Sequence, residues 1–193
     1  MARKKIEFRP DPTGHDWVSK LRLTPLQQKS LLKWLLYSLV CLAGLVLQDS
    51  MLARLRLLGG CFDVTPALII LICVLEGSEN GSLFALLSSM IYVFSGTGQG
   101  RYCIALLTVA AVLAAVFRQG YLRRGVGSDL ICVGGAMVLY ELALLVAGVL
   151  QGLTYWGRWP VFVMTAIVST LAAGAVYAPL KHIGTTGGNA WKE

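Results

Sequence analysis

The sequence predicts an all-α fold, a polytopic membrane helix bundle of about six transmembrane helices, and three observations predict it. The chain is 56% hydrophobic and only 14% charged over 193 residues, and its mean hydropathy is +0.67, which is more apolar surface than a water-soluble domain of this size hides. The charge is unevenly placed: Met1 to Lys33 carries eight of the 17 Lys and Arg, whereas Trp34 to Gln48 carries no charged residue. Further apolar runs follow, separated by short polar turns, the pattern of helices that cross a bilayer.

The chain divides into a basic N-terminal tail (1–30), a membrane domain (31–181) and a short Gly-rich tail (182–193). The first apolar stretch begins only near Leu31, too late for a cleaved signal peptide, so the first helix is expected to be retained. Thr24-Pro25-Leu26-Gln27 reads as a capping box, with Thr at N-cap, Pro at N1 and Gln at N3. The helix it opens extends to about Ala53, with Lys29 and Lys33 expected to snorkel to the inner headgroups and Asp49 near the outer interface.

Val64 to Leu75 and Ser82 to Ser95 are shorter than the ~20 residues that a perpendicular helix needs to cross. A re-entrant hairpin would draw Glu76 and Glu79 toward hydrocarbon at a cost of roughly 2.5 to 3.5 kcal/mol each. Two full crossings are therefore expected, lengthened by flanking residues such as Leu57 to Phe62, with Glu76 to Gly81 as a polar cytoplasmic turn. Tyr102 to Phe117, Leu130 to Leu150 and Pro160 to Leu180 supply the remaining spans. The Gly96-x-Gly98-x-Gly100 segment reads as a flexible turn between helices. Five widely spaced cysteines with no C-x-x-C pair read as lipid-buried thiols.

Orientation follows from the basic residues, because positively charged loops resist translocation. With both termini cytoplasmic, thirteen Lys and Arg lie inside and four outside, the latter being Arg54, Arg56, Arg101 and Arg158. Tyr155, Trp156 and Trp159 then form an outer aromatic belt. The isoelectric point near 9.3 reflects basic residues that flank apolar helices, which points to anionic lipid at the N-terminal tail and not to nucleic acid.

No Ser, His and acidic residue are arranged for nucleophilic catalysis, and neither His15 nor His182 has a second ligand at metal-binding spacing. The sequence therefore predicts no catalytic, cofactor or metal site. Small residues at spacing four, such as Ala110 and Ala114, Ala111 and Ala115, Ser169 and Ala173, and Gly174 and Ala178, predict close helix packing. Glu141 stands apart, midway along Leu130 to Leu150. Its carboxyl is expected either to hydrogen-bond across to Ser88, Ser89, Tyr92, Thr165 or Ser169, or to serve as a proton or ligand site.

In order and spacing, these features resemble the rod shape-determining protein MreD family, in its Gram-positive forms, over roughly Asp63 to Ile183. The resemblance rests on Thr65-Pro66-Ala67-Leu68 opening the second span and on the polar turn Glu76 to Gly81. It rests also on the small-residue turn ending at Gly100 and on Val138-Leu139-Tyr140-Glu141-Leu142 in the fifth span. Pro66, Gly100 and Tyr140 are the family-pattern positions. The chain departs from the family where Tyr92-Val93 stands in place of an Asp near the end of the third span, and where Ala85 and Ser88 or Ser89 replace glycines. No role of that Asp carries over. The resemblance implies a non-enzymatic subunit of the cell-elongation complex in the bacterial plasma membrane. Its partners there would be an MreC-like protein and, beyond it, RodA, a class B penicillin-binding protein and MreB.

The same resemblance implies a six-helix fold similar to the substrate-binding subunits of energy-coupling-factor transporters, and with it the alternative of a vitamin-binding subunit. Those subunits carry Ala-x-x-x-Ala in the first span, where this chain has Ala43 followed by Leu47. An enzyme acting on lipid-linked substrates ranks third, because the outer loops offer little beyond Asp63, Arg101 and Arg158.

Overall fold

The computed structural model describes residues 25–51, 56–57, 60–96, 98, 100–122 and 125–186. Among these residues six α-helices follow in order: α1 (Pro25–Ser50), α2 (Val64–Glu76), α3 (Ser78–Phe94), α4 (Tyr102–Tyr121), α5 (Val126–Leu150) and α6 (Trp159–Thr186). A two-stranded ribbon, β1 (Arg56–Leu57) and β2 (Gly60–Cys61), lies between α1 and α2, and a 3-10 turn (Trp156–Arg158) leads into α6. The fold is an all-α bundle. Helices α1, α4, α5 and α6 are each long and apolar enough to cross a membrane, so the chain is a membrane protein.

Successive helices run antiparallel. Lys33 near the start of α1 meets Glu76 at the end of α2, and Gln48 near the end of α1 meets Asp63 just before α2. Tyr92 near the end of α3 returns to Asp63, Ser78 at the start of α3 meets Gln119 near the end of α4, and Arg118 meets Asp129 near the start of α5. Tyr177 in the last third of α6 also reaches Asp129. The start of α1 and the end of α6 therefore share one end of the bundle, the terminal end. The ribbon and the α5–α6 connection lie toward the other, the far end.

Helix α2 is the axis of the bundle. Val64 to Val74 and Glu76 are all buried, because α1, α3, α4, α5 and α6 all pack against it. A helix that is apolar all round is one surrounded on every side. Its thirteen residues span only about 20 Å against a hydrocarbon core of about 30 Å, so it is shorter than the slab its longer neighbours match. The neighbours approach closely through small side chains: Ala110, Ala111, Ala114, Ala115 and Ala173 are all buried, as the spacing of small residues predicts. In lipid this packing and the hydrogen bonds between helices supply the association that the hydrophobic effect supplies in water.

Four expectations are corrected. Leu57 to Phe62 does not lengthen α2. Instead β1 pairs antiparallel with β2, Arg56 opposite Cys61 and Leu57 opposite Gly60, and the ribbon is tied to α6. A Cβ at Gly60 would lie 2.9 Å from the Thr165 main-chain nitrogen, so only glycine allows that approach. The polar turn Glu76 to Gly81 shrinks to Gly77, since Ser78 already begins α3 and Glu76 is drawn into the bundle by Lys33. The chain continues as α6 past Lys181 to Thr186. Of the five thiols, Cys41, Cys73, Cys103 and Cys132 are buried inside protein rather than in lipid, and Cys61 is exposed.

Gly77 joins α2 to α3 at φ 91° and ψ 173°, backbone that essentially only glycine adopts. Gly77→Ala is expected to destabilise the bundle by about 1–3 kcal/mol. Gly120→Ala, in α4 with open space where its Cβ would stand, is expected to be neutral or slightly stabilising. Thermal unfolding in detergent checks both, and equal melting temperatures for the two variants would show that the hairpin does not depend on the Gly77 backbone.

Candidate functional site

Polar side chains inside the bundle gather in two layers, one at each end of α2. At the terminal end two buried carboxylates are satisfied in the same way. Glu76 is ion-paired with Lys33 and accepts a hydrogen bond from the Tyr37 hydroxyl at 2.7 Å. Lys33 and Tyr37 stand four residues apart and so share one face of α1. Asp129 accepts from Arg118 Nε at 2.7 Å and from the Tyr177 hydroxyl at 2.7 Å. Arg118 also donates to the Val74 carbonyl at 3.2 Å, one of the last-turn carbonyls of α2 that have no partner within the helix. Lys33 is 5% exposed, so it does not snorkel; the Glu76 carboxylate inside the bundle is its partner.

The second layer, at the far end, centres on Asp63. Asp63 occupies the N-cap position of α2 but makes no capping hydrogen bond with its side chain. Gln48 from α1 does that work: its Oε1 accepts from the Thr65 main-chain N–H at 2.9 Å, while its Nε2 donates to Asp63 Oδ1 at 2.6 Å. The Asp63 carboxyl is thereby turned toward α3, where the Tyr92 hydroxyl donates to it at 3.0 and 3.1 Å. Helix α6 holds the approaching chain, with Ser169 Oγ accepting from Asp63 N–H at 2.8 Å and Thr165 Oγ1 from Cys61 N–H at 3.2 Å.

Glu141 reaches this layer from the middle of α5. It is 3% exposed and interacts electrostatically with Asp63. Beside it in sequence, Tyr140 is hydrogen-bonded with Cys103 at the start of α4. The hydrogen bonds of four of the five expected partner hydroxyls go elsewhere: Ser89 to Leu86 O, Tyr92 to Asp63, Thr165 to Val161 O, and Ser169 to Asp63 N–H. Glu141 Oε1 is buried and has no hydrogen-bond partner among the described residues. The expectation of an acid hydrogen-bonded across to those residues is therefore replaced by an acid with an unpaired oxygen next to a second acid.

All six helices contribute to this far-end layer: Gln48, Asp63 with Thr65, Tyr92, Cys103, Tyr140 with Glu141, and Thr165 with Ser169. Pro66 lies in the first turn of α2, three residues from Asp63. Gly100, with φ +127°, gives its carbonyl to Cys103 N–H at 3.1 Å. The sequence placed Asp63 in an outer loop and assigned Gln48 no role. The available signal was a glutamine at the end of a charge-free run and an aspartate directly before a Pro-containing apolar helix. No family model, curated protein or solved structure matches this chain.

Gln48→Leu removes the cap of Thr65 N–H and one partner of Asp63 together, and is expected to cost about 1–3 kcal/mol for each buried group left unpaired. Glu141→Met removes an oxygen that has no partner, and is expected to leave the melting temperature unchanged or higher. Comparing the two by thermal unfolding in one detergent checks this. A larger loss for Glu141→Met than for Gln48→Leu would mean that Glu141 stabilises the fold through a partner of its own.

Proposed function

We propose that this chain is a non-enzymatic subunit of a bacterial cell-elongation complex. It crosses the plasma membrane six times with both termini cytoplasmic, and works by lateral contact with an MreC-like single-span protein and, through it, RodA, a class B penicillin-binding protein and MreB. The observation that carries this reading is convergence. Pro66, Gly100, Tyr140 and Glu141 bear the sequence resemblance and come from two helices, α2 and α5, and the turn before α4, yet they gather around one buried layer at the far end of the bundle.

A second observation supports it. The centre of the bundle is filled by α2, whose buried side chains run from Val64 to Val74 without a break, as suits a solid adapter more than a container. The lateral surface is broad and apolar, with Leu31, Leu35, Leu39, Leu42 and Val46 along α1 and Leu83, Leu87, Ile91 and Phe94 along α3 all exposed. Such surface faces lipid or a partner helix, and in a membrane the two exchange at little cost.

Sidedness is tested with the native thiols. Cys61 is exposed and the other four cysteines are buried, so an impermeant maleimide is expected to label intact cells at Cys61 and to lose that label in Cys61→Ser. Asn80→Cys, in the first turn of α3, is expected to react only after permeabilisation; its labelling in sealed cells would invert or break the topology. Function is tested by depletion and co-purification. Cells are expected to lose rod shape, and detergent extracts to retain an MreC-like partner. Recovery of a stoichiometric vitamin, or of an energy-coupling ATPase pair without MreC, would overturn the proposal.

A further inference from the structure

A groove of about 530 Å³ opens at the terminal end between α5 and α6, lined by Val126, Gly174, Tyr177, Ala178, Lys181, His182 and Thr185. Six of these fall on α6 at offsets of three, four, seven, eight and eleven residues from Gly174, so they form one continuous stripe down a single helix face. The stripe is about 16 Å long and changes character along its length. Its inner part is small and apolar, with Gly174 lying against Leu130 of α5 and Ala178 exposed. Its outer part carries Lys181, His182 and Thr185, all exposed.

The charge of the groove is one-sided. Among the described residues the acid that reaches it is Asp129, which contacts Tyr177 and is buried and already satisfied by Arg118 and Tyr177. Lys181 is poised over the Tyr177 ring, its Nζ 5.9 Å from the centroid.

We propose that this groove binds one anionic phospholipid, its phosphate at Lys181 and the upper part of an acyl chain along Ala178, Gly174 and Val126. A soluble anion would use the rim and leave the apolar floor empty; a zwitterionic lipid would fill the floor and carry its own cation to a cationic rim. Only an amphiphile of net negative charge matches both halves. The orientation set by the basic residues places the site in the inner leaflet, where anionic lipids attract basic groups. The inference concerns a different end of the bundle from the far-end layer and stands independently of the proposed function.

The test is native mass spectrometry of the full chain in neutral detergent, titrated with phosphatidylglycerol, phosphatidylcholine or glycerol 1-phosphate. The wild type is expected to hold one phosphatidylglycerol at least ten-fold more tightly than phosphatidylcholine. Lys181→Gln is expected to weaken that lipid about five-fold. Ala178→Phe fills the apolar floor without changing charge and is expected to weaken it comparably. Both positions are exposed on α6, and circular dichroism confirms that the variants fold. Lipid gathered by the basic N-terminal tail is the same in all three proteins, so the difference between them reports the groove. Equal affinity for the two lipids, or unchanged binding in both variants, overturns the proposal. So does an effect of Lys181→Gln with Ala178→Phe silent, which would reduce the site to surface charge. Competition by glycerol 1-phosphate at the concentration of the lipid would reassign it to a soluble anion.

Discussion

A helix enclosed on every side by other helices has ends buried in protein, and each main-chain group at those ends must find its partner there. Helix α2 imposes that constraint here. At its start the N–H groups of Cys61, Asp63 and Thr65 are taken by Thr165, Ser169 and Gln48. At its finish the Val74 carbonyl is taken by Arg118 and the Cys73 carbonyl by Gly77 N–H. Each partner fixes a neighbouring element relative to α2, so the caps of this one helix also set the register of α1, α4 and α6 around it.

The two carboxylate, cation and tyrosine groupings at the terminal end act on the same geometry. Removing two charges from water costs several kcal/mol per ion, and the pair repays it only where further hydrogen bonds complete the shell. Tyr37 and Tyr177 provide those bonds. Such groups oppose a change of register: shifting α1 by one residue along α2 would leave a lone ammonium and a lone carboxylate in a low-dielectric interior. The far-end layer is built differently, with hydroxyls and an amide around Asp63 and no cation among the hydrogen bonds that hold it.

What the sequence discloses is what is local. The apolar runs place all six helices to within a few residues, and the capping pattern at Thr24 to Gln27 places the start of α1 at Pro25, although Thr24 and the capping side chains lie outside the described residues. What it conceals is partner choice across distance. Lys33 pairs with a residue 43 positions away, and nothing in the sequence near Lys33 distinguishes that outcome from a lysine reaching for headgroups. The Leu57 to Phe62 segment reads as helix because it is apolar. It becomes a ribbon because Thr165, 104 residues later, accepts from Cys61 N–H. Glu141 was legible by its position in an apolar run, whereas Asp63 was not, since an acid at the edge of such a run looks like a loop residue until α3 and α6 close over it.

The separation between Asp63 and Ser169 also governs how the chain is made. The acceptor for the Asp63 N–H lies 106 residues downstream, and at ribosomal speeds of roughly 5–20 residues per second it emerges about 5–20 s after the aspartate. During that interval the first turn of α2 is synthesised but not sealed, and a hairpin joined by a single glycine must wait in or beside the insertion channel for its last wall. A chain halted before α6 thus leaves the Cys61 and Asp63 amides without their acceptors, although the Asp63 carboxylate already has Gln48 and Tyr92 beside it.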